Sequence, residues 1–387
     1  MEQIRLALFD IFRNVRPNAF FFLQMTVVFL MFSFSMIMII PLIDGINQLK
    51  PLRNTQTYIV VDSTSNGKVD YLISNSEESV PKLLELYSYI VSSPVSQYTI
   101  WGYTTNYMVN GIRVEQKTAN ERFFELYRFE IIEGRMFNDE DFRYNTVTPV
   151  LVGYGLKDEY RLGNTYSIID GGTGEERDCK VVGVLANNSK YPNIRNPMQP
   201  FNLNYTYLVP LSISEGRSLT RFSDLDMAIN STIFFTDDVG FLNTIKELSA
   251  ELDLFSLGFK TAKESIDAFI DEMLTMIIYQ LLITLIILIF ACVGMASALQ
   301  IIVKKNMRDY SIHIFCGGRM IDIFYRVILQ VAIMLALSFI PTLIVFGLSL
   351  STVYTVLLAI LICVFVLIFP LRKLHSTSIS TMIRTSE

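Results

Sequence analysis

Long stretches of this sequence contain no charged residue. The chain has 387 residues, of which 51% are hydrophobic and 18% are charged. Aspartate, glutamate, lysine and arginine are all missing from Pro17 to Ile43, from Met273 to Val303 and from Val327 to Leu371. A membrane-spanning helix needs about 20 mostly apolar residues. The first two stretches therefore predict one span each and the third predicts two, which excludes a purely soluble protein.

The sequence is also poor in residues that serve metal-dependent and nucleophilic catalysis. Its two histidines, His313 and His375, both lie outside the large polar segment between the first two spans. A zinc enzyme or a Ser-His-Asp hydrolase built on that segment would need histidines there. No Gly-x-x-x-x-Gly-Lys-Ser/Thr run occurs, so ATP binding through a P-loop is excluded. We expect no catalytic, cofactor-binding or metal-binding residue in this chain.

The predicted spans contain no ionisable residue, histidine included. Ion-driven transporters and proton relays generally need such groups inside the membrane. The most polar members of the spans are Gln24, Gln280, Gln300 and Gln330, which we interpret as contacts between helices. The spans are therefore expected to transmit motion and not to form an ion pathway.

The charges outside the spans predict the orientation of the chain. The short segments Met1–Arg16, Lys304–Arg326 and Arg372–Glu387 together hold 11 Lys/Arg and 5 Asp/Glu, whereas Asp44–Glu272 holds 21 and 32. Lysine and arginine accumulate in short loops on the cytoplasmic side. We expect both termini in the cytoplasm and the large segment outside, with the first stretch kept as an uncleaved anchor.

The first sixteen residues predict an amphipathic helix that lies in the membrane interface. Its apolar face, spaced by 3.6 residues, comprises Ile4, Leu8, Ile11, Phe12 and Val15. The membrane-interface residues are Arg5, Arg13 and Arg16, which flank this face and would reach lipid phosphates. An ordinary helix packed on protein is the alternative.

The large segment predicts an α+β domain without an internal repeat. Its β-rich runs are Tyr58–Val61, Val147–Val152, Tyr166–Ile169, Cys179–Leu185, Thr206–Val209 and Thr232–Phe235. Asn110-Gly111 predicts a two-residue hairpin turn. Helices are predicted at Asn120–Tyr127, with Asn120 as N-cap, and at Val239–Leu252. The carboxylate run 139–141 lacks calcium-loop spacing and is interpreted as a helix start.

The fold class that follows is a membrane protein with four transmembrane α-helices and a large α+β extracytoplasmic domain between the first and second spans. The predicted parts are an interfacial helix at 1–16, spans at 17–43, 327–348 and 352–371, the domain at 44–260, a stalk continuing into the second span at 261–303, a cytoplasmic loop at 304–326 and a tail at 372–387.

Several short segments occur in a characteristic order along the chain. In the domain they are Glu133–Phe137, Pro149–Gly153, Leu162–Ile168 and Val181–Val184, followed in the loop by Arg308–Gly317 and at the end by Phe369–Arg372 and Met382–Arg384. With the order of the spans, these segments resemble the MacB/FtsX-like ABC transporter permeases, whose corresponding runs include G-R-x-F, V-V-G-V and R-x-E-I-G-I-L-R-A-L-G. Ser311, His313 and Ile314 depart from the family's loop pattern.

The resemblance implies a permease subunit of the bacterial plasma membrane that works by mechanotransmission. Its partners would be a separate ABC ATPase that binds the ATP, a second permease copy or paralogue, membrane lipid and an extracytoplasmic adaptor or hydrolase, with no nucleic acid. The cargo would be a peptide, lipid-linked or drug-like substrate. The ATPase-coupling residues implied are Arg308, Asp309, Tyr310, Ile312, His313, Phe315, Gly317 and Gly318.

Two other functions fit the same layout. One is an FtsX-like regulator that activates an extracytoplasmic cell-wall hydrolase. The other is a membrane sensor or receptor without an ATPase, which the short basic loop and the lack of a cytoplasmic signalling domain disfavour. Co-purification with an export partner, with a secreted hydrolase or with no ATPase would distinguish the three.

Overall fold

Four helices of the structure are long and apolar enough to cross a membrane. A computed structural model describes residues 2–143, 146–172, 174–211 and 221–376. The chain divides into two compact units. The membrane unit comprises Met1–Ile43 and Asp271–Glu387, and the outer domain comprises Asp44–Ile270. The large α/β domain lies between the first and second spans in sequence, which confirms the predicted fold class.

The helices of the described residues include two that contribute to both units, α2 and α8. In chain order the helices are α1 (Glu2–Arg13), α2 (Val15–Arg53), α3 (Asn66–Ser74), α4 (Ser76–Ser92), α5 (Glu121–Leu126), α6 (Phe222–Asn230), α7 (Val239–Glu251), α8 (Ala262–Lys305), α9 (Met307–Phe315), α10 (Met320–Phe346) and α11 (Leu350–Ser376).

The strands all belong to the outer domain. They are β1 (Thr57–Asp62), β2 (Ser96–Val109), β3 (Ile112–Ala119), β4 (Ile131–Gly134), β5 (Thr148–Val152), β6 (Thr165–Ile169), β7 (Glu176–Leu185), β8 (Lys190–Tyr191), β9 (Phe201–Asn202), β10 (Thr206–Pro210), β11 (Thr232–Phe235) and β12 (Leu257–Thr261).

One mixed sheet organises the outer domain. Its order is β12-β1-β11-β2-β3-β10-β5-β7-β4, with β6 paired to β7, while β8 and β9 form a separate small hairpin. The pairs β3–β10 and β5–β7 are parallel and the others are antiparallel. Leucine, isoleucine and phenylalanine side chains of α4, α6 and α7 pack with Val60, Trp101 and Phe234 into one core. The other face of β2 and β11 packs against Phe123 of α5 and Tyr191 of β8.

Two local predictions in the outer domain are confirmed in detail. Asn110 and Gly111 both have positive φ, 52° and 77°, and join β2 to β3 with Val109 opposite Ile112. This is the backbone that a two-residue type I′ turn requires. The Asn120 side chain accepts a hydrogen bond from the Phe123 backbone N–H, which caps α5 as expected.

The structure adds to or corrects the sequence analysis at three places. The helix of the first predicted span, α2, continues beyond Ile43 to Arg53. The carboxylate run 139–141 is a turn and not a helix start, and Asp141 is buried where it accepts hydrogen bonds from Arg135. Residues 66–92 form α3 and α4, for which no element was predicted. The predicted tail segment Met382–Arg384 lies outside the described residues.

Candidate functional site

The predicted coupling segment forms α9, a short helix with a defined C-terminus. The Gly318 N–H donates to the His313 carbonyl at 2.9 Å and the Gly317 N–H donates to the Ile314 carbonyl at 3.0 Å. This pair of bonds is the Schellman motif, and Gly317 supplies the positive φ that it needs, 91°. A Cβ on Gly318 would lie 2.5 Å from the His313 ring. The two glycines therefore fix the point at which the chain turns into α10.

The outward face of α9 carries large apolar side chains, although the outward face of a helix is usually polar. Met307, Tyr310 and Ser311 are buried against the membrane unit. Ile312 and Phe315 point outward, with 53% and 70% of their surface exposed. Side chains three and four residues apart share one helix face. The outward face of α9 therefore carries two large apolar side chains that nothing in this chain covers among the described residues.

A buried ion pair lies behind α9 and joins α1 to α10. Asp10 is fully buried, and its carboxylate accepts from Arg326 Nε at 2.6 Å and from Arg326 Nη2 at 2.7 Å. The Asn306 amide donates to Asp10 Oδ1 at 3.4 Å. Bidentate arginine–carboxylate pairs are among the strong side-chain contacts because two charge-assisted bonds fix their geometry. α1 and α10 are thus held together at this point.

A second ion pair joins α1 to α9. Arg13 donates from Nη1 to Asp309 Oδ2 at 3.1 Å and from Nη2 to Asn306 Oδ1 at 2.8 Å. Tyr310 lies beneath this pair, with its ring 5.4 Å from the Arg326 guanidinium carbon. Burial, followed by the nearby Asp10 carboxylate, raises the pKa of Tyr310, so its hydroxyl stays neutral. Together these contacts make α1, α9 and the start of α10 one packed cluster.

The eight predicted coupling residues fall into two groups in the structure. Arg308, Ile312, Phe315 and Gly317 are exposed, and His313 and Gly318 are half-buried. Asp309 is paired with Arg13. Tyr310 is buried, with only 1% of its surface exposed, so its side chain is not part of the outward face of α9.

The structure describes the side chains of two of the three predicted membrane-interface arginines. Arg5 and Arg13 are both exposed, and Arg13 donates hydrogen bonds to Asp309 and Asn306. The Arg16 side chain lies outside the described residues. The polar side of α1 faces protein through Asp10 and Asn14. The exposed apolar side chains of this segment are Ile4, Leu8, Phe9, Phe12 and Val15, while the predicted member Ile11 is buried.

Sequence reasoning missed three residues of this site, Asp10, Asn306 and Arg326. Asp10 is an acidic residue within an otherwise apolar and basic segment, and Arg326 is the last charge before the third uncharged stretch. Two opposite charges next to predicted spans on the same side of the membrane were the signal available. Asn306 carries no such signal. It lies between α8 and α9, and only the fold brings it into contact with Arg13.

The domain motifs have structural roles that explain their residue types. Gly134 ends β4 with φ of 78°, and a Cβ there would lie 2.3 Å from the Val182 carbonyl oxygen of β7. Arg135 Nη2 donates to the buried Asp141 at 3.0 Å. A Cβ on Gly183 would lie 2.3 Å from the Arg135 carbonyl oxygen. The G-R-x-F and V-V-G-V runs are therefore two sides of one close contact between β4 and β7.

Comparison with known families identifies this domain. Residues 28–237, more than half of the chain, match the family model described as the MacB-like periplasmic core domain. The chain belongs to the MacB-like permease family. It is a multi-pass, ABC-transporter-type permease with four candidate spans, which confirms the resemblance seen in the sequence.

Three solved structures of transporter or permease domains match this chain at low identity. The periplasmic region of MacB from Actinobacillus actinomycetemcomitans is 14% identical, with a TM-score of 0.34 over 59% of this chain and 97% of that one. The extracellular domain of the noncanonic ABC-type transporter YknZ from Gram-positive bacteria is 13% identical, with a TM-score of 0.30 over 53% and 99%. A domain of a putative permease from Porphyromonas gingivalis is 14% identical, with a TM-score of 0.29 over 54% and 91%. No curated protein matches the chain.

Proposed function

We propose that this MacB-like permease couples ATP hydrolysis by a separate ABC ATPase to movement of its outer domain. In this proposal the outward face of α9 docks on the ATPase, two permease subunits pair in the bacterial plasma membrane, and both termini are cytoplasmic. Work done by the outer domain exports or extracts a peptide, lipid-linked or drug-like cargo, which need not pass through the spans.

The observation that carries the proposal is the exposed pair Ile312 and Phe315. Fully burying one such side chain contributes about 1.5–3 kcal/mol. The two lie on a helix outside the four candidate spans, where a partner protein gives them an apolar surface. Large apolar residues at the centre of an interface commonly supply most of its binding energy.

Transmission from α9 is supported by the contacts behind it and by the continuity of two helices. In this proposal, a force applied to α9 is transmitted to α1 and α10 through the ion pairs Arg13–Asp309 and Asp10–Arg326. α8 is unbroken over 44 residues, about 66 Å at 1.5 Å per residue, which exceeds the membrane's apolar thickness of about 30 Å. Within the outer domain, Arg53 of α2 pairs with Asp267 of α8 at 2.8 Å.

The proposal is tested by placing a carboxylate on the outward face of α9. We expect Phe315→Asp to abolish co-purification of the ATPase and ATP-dependent transport, while the permease still inserts and folds. The matched control is Ile169→Asp, which puts the same charge at a 59% exposed isoleucine of the outer domain and should retain the ATPase. Full ATPase binding and transport by Phe315→Asp would refute the proposed docking face.

A further inference from the structure

A groove of about 420 Å³ lies along the outer-domain sheet, and the C-terminal end of α6 also lines it through Met227 and Asn230. One wall is the sheet itself, from Ile59 on β1 through Ile233 and Ile100 to Lys117 on β3. The other wall is the arm, which we define as β8, β9 and the loop between them, residues 190–202. This volume is within the range of small-molecule sites, about 300–1,000 Å³.

The groove is long and has a cation near each end: Lys117 on β3, and Arg195 of the arm, whose guanidinium donates to the Val60 carbonyl of β1 at 3.1 Å. The strands β1, β11, β2 and β3 are consecutive in the sheet, so their spacing of about 4.8 Å gives a length of about 14 Å from Ile59 to Lys117. The sheet side between these ends is built from isoleucines and Tyr98, with Gly102 next to Lys117. A Cβ on Gly102 would lie 2.9 Å from Lys117 Cγ, so the glycine makes room for that side chain.

Lys117 is buried to an unusual degree for a lysine, with 11% of its side chain exposed. Its ammonium lies 4.8 Å from the centre of the Phe201 ring, at the arm side of the groove. Its ion-pair partner is Glu115, 3.1 Å away, whose side chain is 44% exposed. A carboxylate with that much access to water is easily exchanged for another anion.

We propose that this groove binds an anionic amphiphile, with the apolar chain along the isoleucines and the anionic head on Lys117 in place of Glu115. The buried ammonium gives the head a partner, and the four-strand apolar wall fits an extended chain better than a compact polar solute. The inference rests on the proposed function in one respect only, namely that the bound ligand is the cargo that the permease moves. Binding itself needs no ATPase, so its failure and that of the α9 docking face are distinguishable.

The only tryptophan of the 387-residue chain, Trp101, points into the core on the opposite face of the sheet, so the reporter is placed in the groove by Ile233→Trp in a Trp101→Phe background. The test uses the full-length permease in nanodiscs and a fatty acid brominated at its chain end, which quenches tryptophan on contact. The brominated alcohol of the same length controls for the apolar chain and for partition into lipid. A brominated alkyl phosphate, run in parallel, distinguishes a phosphate-headed lipid from a carboxylate-headed one as the source of the ligand.

We expect saturable quenching of the tryptophan introduced by Ile233→Trp, by the acid or the phosphate, at concentrations where the alcohol has little effect. Lys117→Met should weaken binding of the anion by about tenfold or more, corresponding to about 1.4 kcal/mol, and leave the alcohol unchanged. Glu115→Gln, at an exposed side chain that is easily replaced, should tighten anion binding because it removes the competing carboxylate. Equal quenching by acid and alcohol, or weaker anion binding in Glu115→Gln, would overturn the proposal.

Discussion

Arg326 holds Asp10, a residue 316 positions earlier in the chain, through two hydrogen bonds of 2.6 and 2.7 Å. The carboxylate is fully buried and 12% of the arginine side chain is exposed. A buried pair of this kind is costly to desolvate and stabilises the fold little compared with an apolar pair. Its value here is geometric, since it fixes α1 on α10 in one register directly behind α9.

Breaking this pair is expected to destabilise the membrane unit strongly. Asp10→Leu or Arg326→Met alone leaves one buried charge without its partner, which costs about 3–5 kcal/mol. The double variant Asp10→Leu with Arg326→Met removes both charges and should recover most of the thermal stability measured in detergent. If α1 acts in transmission, the stable double variant should still bind the ATPase but transport less per ATP. A double variant with wild-type coupling would limit the pair to a structural role.

Most of the outer domain was predictable because its signals are local. The hairpin at Asn110-Gly111 and the cap at Asn120 each depend on a few neighbouring residues whose backbone preferences are strong. The helices α3 and α4 were missed because α3 contains Gly67 and α4 contains Pro81 and four serines, residues that favour turns. Their formation depends on the burial of Leu72, Leu83 and Leu86 in the core beneath them.

The orientation of α9 was not predictable from the sequence. The side of α9 that faces the protein is set by α1, which is distant in sequence. Tyr310 is buried because α1 and α10 bring the Asp10–Arg326 pair against its ring. Such long-range packing leaves no periodic signal in a nine-residue helix.

Cys316 should report both the orientation of the membrane unit and the docking of the ATPase. It follows Phe315 directly and is exposed, whereas Cys179 and Cys292 are buried. A membrane-impermeant maleimide should label Cys316 in inside-out vesicles and not in intact cells. Bound ATPase should slow this labelling, and Cys316→Ser should remove it. Labelling from the outside of intact cells would reverse the proposed topology.

Asp226 on α6 should make the outer domain less stable as the pH rises. Burial is the largest influence on Asp226 and raises its pKa from the ordinary 3.8. The hydrogen bond from the Asn230 amide lowers the pKa, and repulsion by Asp62 raises it further. Because the pKa of this carboxyl is higher in the folded than in the unfolded protein, the folded state binds the proton more tightly. The free energy of unfolding therefore falls as the pH rises from 3.8 through the folded-state pKa, and there is no such loss below 3.8. Asp226→Asn should therefore unfold at a higher temperature at neutral pH, and its advantage should vanish in acid.

Trp101 fluorescence follows this unfolding, because Trp101 packs in the same core as Leu225 and Ile229 of α6. Asp70→Asn, at an exposed position of α3, controls for the loss of one surface charge. A stability gain for Asp226→Asn that persists unchanged into acid would show that the effect is not the ionisation of this carboxyl.

The contact between β4 and β7 makes Gly134 sensitive to substitution, and Gly163 is its matched control. Both have left-handed backbone, with φ of 78° and 82°, so an alanine at either position costs about 1–2 kcal/mol of strain. At Gly163 nothing lies within 4 Å of the added Cβ, whereas at Gly134 it would meet the Val182 carbonyl oxygen at 2.3 Å. Backbone atoms of a paired strand cannot move aside without breaking the ladder. Gly134→Ala should therefore lower the unfolding temperature well beyond Gly163→Ala. Equal effects of the two substitutions would mean that backbone conformation alone, and not the close approach of β7, requires glycine in this motif.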